Sequence, residues 1–256
     1  PSCHEADLNP LGQGTERAEQ TLAERFPTIP ILRVDRDTTR QRGAMHTLTE
    51  QVRQGQPCVL VGTQMLAKGH DFPNITLVCV LDADNGLFSA DYRAPEVLLQ
   101  TLLQVAGRAG RAERAGQVLV QTRQGNHPLL QLLCHGDYAA IANYLLEERR
   151  QAGLPPSVHM ATLRAESPSE SATRDYLANV RSTWITRAAA SHTQLLGPVA
   201  ALMQRKAGFH RFNLYLHSSS RPHLQRLLSE ICDHLDSHRP PPRLRWSVDV
   251  DPLGMD

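Results

Sequence analysis

The chain has 256 residues, of which 41% are hydrophobic and 21% charged, and its formal net charge is +1. This is the composition of an ordinary soluble protein, long enough for one large or two ordinary domains. No run of eighteen apolar residues occurs, and the first residues lack the basic and apolar regions of a signal peptide, so we predict neither a membrane span nor a leader. Because the chain starts at Pro1 without a methionine, we expect it to be a piece of a longer protein.

In the first half of the chain, apolar strands alternate with helices. We predict a helix from residue 15, with Thr15 as its N-cap, followed by a strand at 31–35, a helix at 43–53, strands at 57–62 and 76–83, a helix at 95–104 and a strand at 116–122. Continuous apolar strands that alternate with helices are typical of an α/β domain with a parallel sheet.

The five cysteines are dispersed, which argues against a disulfide framework and for a reducing cytoplasm. Cys58 and Cys79 lie in apolar runs, and we expect both to be reduced core thiols. Cys3 closes a Pro-Ser-Cys triplet. It is either a free thiol or the second cysteine of a C-x-x-C zinc half-site whose first residue precedes the chain.

The stretch G-T-Q-M-L-A-K-G-H-D-F-P, residues 62–73, follows a strand at the edge where open α/β sheets bind ligands. The hydroxyl of Thr63 and nearby backbone amides could hold a nucleic-acid phosphate, and Asp71 could accept a hydrogen bond from a ribose hydroxyl. The alternatives are a turn for Gly69 and a helix cap for Asp71. Aromatic residues at 87–93 could stack on bases or pack beneath the following helix.

The second half of the chain predicts an α+β domain. An amphipathic helix at 137–153 ends at a Gly-Leu-Pro-Pro break, and strand, helix, strand, strand, helix and strand follow at 158–166, 169–189, 194–198, 209–217, 222–237 and 245–251. Alternation in 211–217 predicts that one face of that strand is exposed. Residues 176–229 contain no acid, so we expect a positive face from the basic residues there, which are Arg181, Arg187, Arg205, Lys206, Arg211, Arg221 and Arg226.

The strongest motif is Q-x-x-G-R-x-G-R, formed by Gln104, Gly107, Arg108, Gly110 and Arg111. Two arginines three residues apart on a helix can reach one target together. The alternative is a solvated basic turn. The pattern resembles motif VI of superfamily-two helicases, in which the arginines reach the γ-phosphate of ATP bound on the other lobe. A planar, permanently charged guanidinium suits the charge that develops during phosphoryl transfer.

Together with D-A-D-x-x-L-F-S-A-D-Y-R-A-P-E at 82–96, these motifs closely resemble the PriA (primosomal protein N′) family of bacterial replication-restart helicases. The resemblance covers essentially the whole chain and is strongest at 62–111. It implies an α/β, RecA-like helicase lobe with a parallel sheet at 13–135, a linker helix at 136–156 and a smaller α+β C-terminal domain at 157–256. Residues 1–12 would be the remnant of a zinc-binding insertion.

The resemblance also implies site residues. Thr63, Gln64 and Lys68 would contact single-stranded DNA, and Gly69 and Asp71 would face the nucleotide. Gln104, Arg108 and Arg111 would sense and stabilise the ATP phosphates. Arg221 and Gln225, one helical turn apart, match polar positions that bind the acidic C-terminal tail of single-stranded-DNA-binding protein (SSB), although an ordinary exposed helix start is the alternative. Cys3 would belong to the zinc half-site.

The chain contains no G-x-x-x-x-G-K-[ST] sequence, and no D-E-x-H-type acidic pair for Mg²⁺ follows an apolar strand. We therefore expect the distal part of an ATP- and Mg²⁺-dependent 3′-to-5′ DNA helicase that binds forked DNA, SSB and other primosome proteins in the bacterial cytoplasm, near the nucleoid, with Zn²⁺ in the full-length protein. Alone, the chain should not hydrolyse ATP. The alternatives are a non-catalytic module that binds DNA and SSB tails, or the second lobe of another superfamily-two helicase such as the RecG type.

Overall fold

The computed structural model describes residues 14–34, 44–63, 75–107 and 116–255. The chain divides into two compact units. Unit 1 comprises Pro1–Phe88 and Pro95–His127, and unit 2 comprises Ser89–Ala94 and Pro128–Asp256. None of the described helices is both long and apolar enough to cross a membrane.

Unit 1 has the predicted alternation of helices and parallel strands. Its elements are α1 (Thr15–Arg25), β1 (Ile31–Val34), α2 (Ala44–Arg53), β2 (Val59–Gly62), β3 (Leu77–Val80), α3 (Asp84–Leu87), α4 (Ala94–Ala106) and β4 (Gln117–Val120). Strands β1 and β2 pair in parallel, as do β3 and β4. The α/β class predicted for this part of the chain is confirmed, and the short helix α3 was not predicted.

Two local predictions in unit 1 are wrong. Gly14 rather than Thr15 is the N-cap of α1, and no side chain caps that helix. Cys79 is exposed and Cys58 is half-buried, so they are not both core thiols. The side chains of β3 alternate between two faces, and Cys79 shares the exposed face with Leu77. Partial burial raises the pKa of the Cys58 thiol.

Unit 2 is an α+β domain built on an antiparallel sheet. Its elements are α5 (Pro128–His135), α6 (Tyr138–Gln151), β5 (His159–Ser167), α7 (Glu170–Ala190), β6 (Thr193–Lys206), β7 (Phe209–Ser218), α8 (Arg221–Ser237) and β8 (Arg245–Val250). The strand order is β6-β7-β5-β8, and every neighbouring pair is antiparallel. Helix α5 was not predicted, and β6 continues well beyond the predicted 194–198.

Polar side chains set the starts of two helices in unit 2. Asp137 accepts a hydrogen bond from the amide of Ala140 at the start of α6, and Ser169 accepts one from the amide of Ala172 at the start of α7. Each cap satisfies one of the backbone donors that a helix leaves free at its first turn. These caps fix where α6 and α7 begin.

The hydrophobic core of unit 2 lies between one face of the sheet and the helices α7 and α8. Leucines at three positions illustrate this, because Leu163 on β5, Leu177 on α7 and Leu214 on β7 are each at most 1% exposed. Burial of such side chains contributes about 1.5–3 kcal/mol each. Strand β7 sits in the middle of the sheet and supplies the core with alternate residues.

The prediction that one face of β7 is exposed is wrong. Residues 212–216 are all buried, including the polar Asn213 and Tyr215. On the face opposite the helices, Asn213 Nδ2 and Tyr215 Oη both donate to the carbonyl oxygen of Met255, each at 3.2 Å. The end of the chain therefore covers this face, and the polar alternation reflects internal hydrogen bonds rather than solvent.

The segment 89–94 contacts the same C-terminal residues. Tyr92 Oη donates to the carbonyl of Pro252 (3.4 Å), and Arg93 Nη1 donates to the carbonyl of Leu253 (3.3 Å). The Arg149 guanidinium lies 5.2 Å from the centre of the Tyr92 ring. Tyr92 thus packs against the C-terminal segment and α6. Phe88 is 61% exposed and is therefore not buried beneath α4 as predicted.

We expect Leu214→Ala to lower the free energy of unfolding of unit 2 by about 2–5 kcal/mol, because the cavity forms where two layers meet. Urea unfolding followed by tryptophan fluorescence reports on this unit, since Trp184 and Trp246 both lie in it. Leu202→Ala is the control, because Leu202 is 50% exposed and its truncation should cost no more than about 0.5 kcal/mol. Equal effects of the two substitutions would contradict the placement of the core.

Candidate functional site

The helix α4 leads directly into the arginine motif. Leu98, Leu99 and Leu102 bury one side of this helix. Gly86 lies so close to it that an added Cβ would be 3.0 Å from the Leu98 Cβ. Gln104 lies in the last turn of the helix and is exposed. The chain is therefore anchored up to the start of the motif, with Gln104 available to a ligand.

The two arginines themselves, Arg108 and Arg111, lie outside the described residues. The structure thus gives the position of Gln104 within unit 1, and the roles of the arginines stay a prediction.

Thr63 immediately follows β2 and is exposed. Because β1 and β2 are parallel, it lies at the carboxyl end of this strand pair, the edge at which α/β sheets bind ligands. The other predicted contacts in this stretch, Gln64, Lys68, Gly69 and Asp71, lie outside the described residues. The location of Thr63 suits a phosphate contact, and its binding role stays a prediction.

Two carboxylates, Asp82 and Asp84, follow β3. Asp84 accepts hydrogen bonds from Thr122 Oγ1 (2.5 Å) and the Arg123 amide (3.0 Å), which hold the pKa of its carboxyl below the usual value. Asp82 accepts from Asn85 Nδ2. The Asp84 carboxylate therefore joins the loops after β3 and β4, whereas the Asp82 carboxylate bonds within its own loop. The contact between Asp84 and Thr122 spans 38 residues, and nothing in the sequence pattern signals it.

The described ranges contain no group of three or more His, Cys, Asp or Glu side chains that could hold a metal ion. Cys3 lies outside those ranges. The carboxylates after β3 accept hydrogen bonds from protein donors. Gln104 and Thr63, the described residues predicted to contact nucleotide and nucleic acid, are both exposed, and their binding roles stay predictions.

Arg221 and Gln225 lie in the first two turns of α8, and both are exposed. Arg221 Nη2 donates to the Asp251 carboxylate at 2.6 Å. Asp251 has a left-handed backbone (φ 52°) just after β8, which turns the chain back towards α8. The structure brings an acid to the predicted carboxylate-binding arginine, and this pairing was not foreseen because the two residues are 30 positions apart.

The predicted positive face is smaller than expected, because acids from outside the acid-free segment pair with several of its arginines. Arg187 forms two hydrogen bonds with Glu230, and Arg211 lies 4.0 Å from Glu166. Each of these ion pairs offsets one positive charge. Arg211, whose side chain is only 19% exposed, also donates to a main-chain carbonyl of β6.

Family models match two parts of the chain. Residues 11–113 match the helicase conserved C-terminal domain, and residues 150–253 match the primosomal protein N C-terminal domain. The first match contains Thr63 and the complete arginine motif. The second contains the antiparallel sheet, Arg221 and Asp251.

Curated relatives are similar to the chain across nearly its whole length. The replication restart protein PriA of Haemophilus influenzae is 39% identical over 254 residues, which cover 99% of this chain and 34% of that protein. The replication restart proteins PriA of Bacillus subtilis and Synechocystis are 33% and 35% identical over the whole chain, which covers 32% and 30% of those proteins. The chain thus spans about a third of the length of these relatives. Its identity over that span, with the two domain matches in the same order, shows that the chain belongs to the PriA family of replication restart proteins.

Proposed function

We propose that this chain supplies the second RecA-like lobe and C-terminal domain of an ATP-dependent 3′-to-5′ DNA helicase that restarts replication at stalled forks. In this proposal, ATP hydrolysis is coupled to unwinding and to primosome assembly in the bacterial cytoplasm, near the nucleoid. The observation that carries the proposal is the match of the whole chain to replication restart proteins, with Q-x-x-G-R-x-G-R inside the helicase match. The exposed Gln104 at the end of an anchored helix supports it.

The proposed nucleotide contacts come from two stretches that follow elements of the parallel sheet domain. Gln104, Arg108 and Arg111 would contact the ATP phosphates, and Gly69 and Asp71 would face the nucleotide. The triphosphate and its Mg²⁺ would be held mainly by a P-loop on another lobe, because this sequence has no such loop. The arginines would then stabilise the charge on the transferring phosphoryl group.

The proposed DNA contact lies at the carboxyl end of β2. Thr63 is exposed there, and Gln64 and Lys68 would extend the contact along a single strand. Hydroxyl, amide and ammonium groups of this kind bind phosphate oxygens and carry little base specificity. Such a contact fits an enzyme that moves along DNA of any sequence. Cys3 would contribute to a zinc site only together with cysteines outside this chain.

The C-terminal domain would bind the acidic tail of SSB through Arg221 and Gln225, with the guanidinium receiving a carboxylate. Arg221 is exposed, but it already has Asp251 as a partner. An incoming carboxylate would therefore compete with an internal one. A chain that binds DNA and SSB tails without hydrolysing ATP is the second candidate for this polypeptide on its own, because the sequence contains no P-loop.

The arginine motif is tested by joining this chain to the P-loop lobe of a PriA relative in one polypeptide and measuring DNA-stimulated ATP hydrolysis. We expect Arg111→Ala to lower kcat roughly a thousandfold, because an arginine finger stabilises the phosphoryl-transfer transition state to that extent. ATP binding should persist. Arg25→Ala, an exposed arginine on α1, is the matched control and should leave turnover unchanged. Near-normal turnover of the Arg111 variant would refute the phosphate contact.

The SSB-tail site is tested on this chain by fluorescence anisotropy with a labelled SSB C-terminal peptide. Arg221→Ala should weaken binding about tenfold, because a charge-assisted hydrogen-bond pair is lost. Asp251→Asn should strengthen it by about two- to fivefold, because an exposed ion pair of this kind contributes about 0.2–1 kcal/mol and no longer competes. Asparagine tolerates the left-handed backbone at this position.

Arg205→Ala is the control for the loss of one exposed positive charge from the same domain, and it should leave the affinity unchanged. Weaker binding by the Asp251→Asn variant would contradict competition. Unchanged binding by the Arg221→Ala variant would remove this residue from the site.

A further inference from the structure

The helices α7 and α8 run antiparallel over the sheet and leave a groove between them. At mid-length the groove is bridged by the ion pair of Arg187 with Glu230 (2.6 Å). Beside it, the rings of Trp184 and His234 meet edge to face with 5.7 Å between their centres. A cavity opens on each side of this bridge. The groove lies outside every contact assigned above to ATP, DNA or the SSB tail.

The larger cavity has a volume of about 430 Å³ and lies between the first half of α7 and the end of α8. Val180 and Leu235 give it apolar walls, and Tyr176, His234 and His238 give it aromatic ones. A volume of several hundred Å³ lies in the range of cavities that bind ligands. This cavity can therefore take one or two large apolar side chains.

Two polar atoms beside the groove are buried without a hydrogen-bond partner among the described residues. They are the hydroxyl of Tyr176, in the wall of the larger cavity, and the indole nitrogen of Trp184, whose ring contacts His234. Burial raises the pKa of the Tyr176 phenol, so this group stays a neutral donor. Buried donors that lack acceptors are costly, but both atoms are closed off from solvent, so a ligand in the groove does not reach them directly.

The charged side chains that line the two cavities are three arginines and two carboxylates, an excess of one positive charge. Of the carboxylates that line it, Asp175 pairs with Arg174 (3.2 Å) and Glu230 pairs with Arg187. Arg226 lines the smaller cavity and Arg239 the larger one, and within the described part of the chain neither of them forms a salt bridge. Arg226 is near enough to Glu230 to help lower the pKa of that carboxyl. Eleven positions separate Arg226 from Ser237, the last residue of α8, about 16 Å at the helical rise per residue, and Arg239 lies two residues past the end of the helix.

We propose that the groove between α7 and α8 binds an acidic peptide segment of a partner protein. An apolar side chain of the segment fills the larger cavity beside Val180 and Leu235, and acidic residues at its two ends meet Arg226 and Arg239. An extended peptide covers about 20 Å with roughly six residues. Charge complementarity with the two arginines selects an acidic occupant.

A peptide fits these features better than a nucleic acid does. The rings of Tyr176 and Trp184 pack against the hydrophobic core, so their faces are not free to stack on bases. Two unpaired arginines at opposite ends of the groove neutralise few phosphates, whereas nucleic-acid affinity rises with the number of phosphates neutralised. A phosphate backbone would leave the larger cavity unfilled, whereas an apolar side chain of a peptide would fill it.

The test uses the whole chain and a fluorescein-labelled peptide, Glu-Glu-Gly-Leu-Phe-Gly-Glu-Glu. Anisotropy measures its affinity, and ¹⁵N NMR follows the indole signal of Trp184. The chain has two tryptophans, so Trp246→Phe assigns that signal. We expect saturable binding with a shift of the Trp184 signal. A peptide with glycine in place of Leu-Phe should bind at least about tenfold more weakly, because it leaves the cavity empty.

Two kinds of variant separate the groove from other basic surfaces. The double variant Arg226→Gln, Arg239→Gln should weaken binding about fivefold or more, because two exposed charge contacts are lost. Thr183→Phe places a ring in the larger cavity from an exposed position on α7 and should weaken binding at least about tenfold by steric exclusion. Arg205→Gln, on β6 and away from the groove, is the matched control and should leave affinity unchanged. Circular dichroism confirms that each variant is folded.

Three results would overturn the proposal. One is an unmoved Trp184 signal at saturating peptide, which would place any binding elsewhere. Another is equal affinity of Thr183→Phe and the unaltered chain. The third is displacement of the peptide by ten-residue oligothymidine with the same shift of the Trp184 signal, which would assign the groove to nucleic acid. Arg221→Ala should leave binding of this probe unchanged, so failure here is distinguishable from failure of the SSB-tail site.

Discussion

The burial of β7 on both faces is the constraint on which the C-terminal domain depends. A strand in the middle of an antiparallel sheet has its backbone donors and acceptors paired on both sides, here with β6 and β5. Phe212, Leu214 and Leu216 face the helices, while Asn213 and Tyr215 face the last residues of the chain. A buried amide and phenol are tolerable because both donate to one carbonyl oxygen. The hydrophobic face fixes α7 and α8, and the polar face fixes residues 252–255.

Both binding sites proposed for the C-terminal domain follow from the packing of β7 against α7 and α8 on one face and against residues 252–255 on the other. Because α7 and α8 are each seated on the sheet, their separation is set by the core beneath them, and the groove stays open except at the Arg187–Glu230 bridge. On the other side, the chain turns at Asp251 into residues 252–255. This turn brings the Asp251 carboxylate to Arg221. The groove and the SSB-tail site thus both depend on this sheet, but they use different residues of α8.

The order and type of most elements could be predicted from the sequence, because apolar periodicity separates helices from strands. The β7 face was mispredicted for a physical reason. Polar residues at every second position normally meet water, but here they meet a carbonyl 40 or more positions away. Contacts of this range, like Arg221 with Asp251 and Asp84 with Thr122, leave no local signature. Motifs are local, so Thr63 and Gln104 could be singled out from the sequence. Both are exposed, and their binding roles stay predictions.

The segment 89–94 has a consequence for how the molecule can be divided. It belongs to unit 2 although the chain on both sides of it belongs to unit 1, so the polypeptide crosses between the units more than once. Tyr92 and Arg93 depend on carbonyls at positions 252 and 253 for their hydrogen bonds. A protein cut between residues 127 and 128 would therefore separate Tyr92 and Arg93 from the carbonyls of residues 252 and 253, and the C-terminal residues would lose these contacts. The helicase match at 11–113 therefore contains a segment, 89–94, that folds with the C-terminal unit.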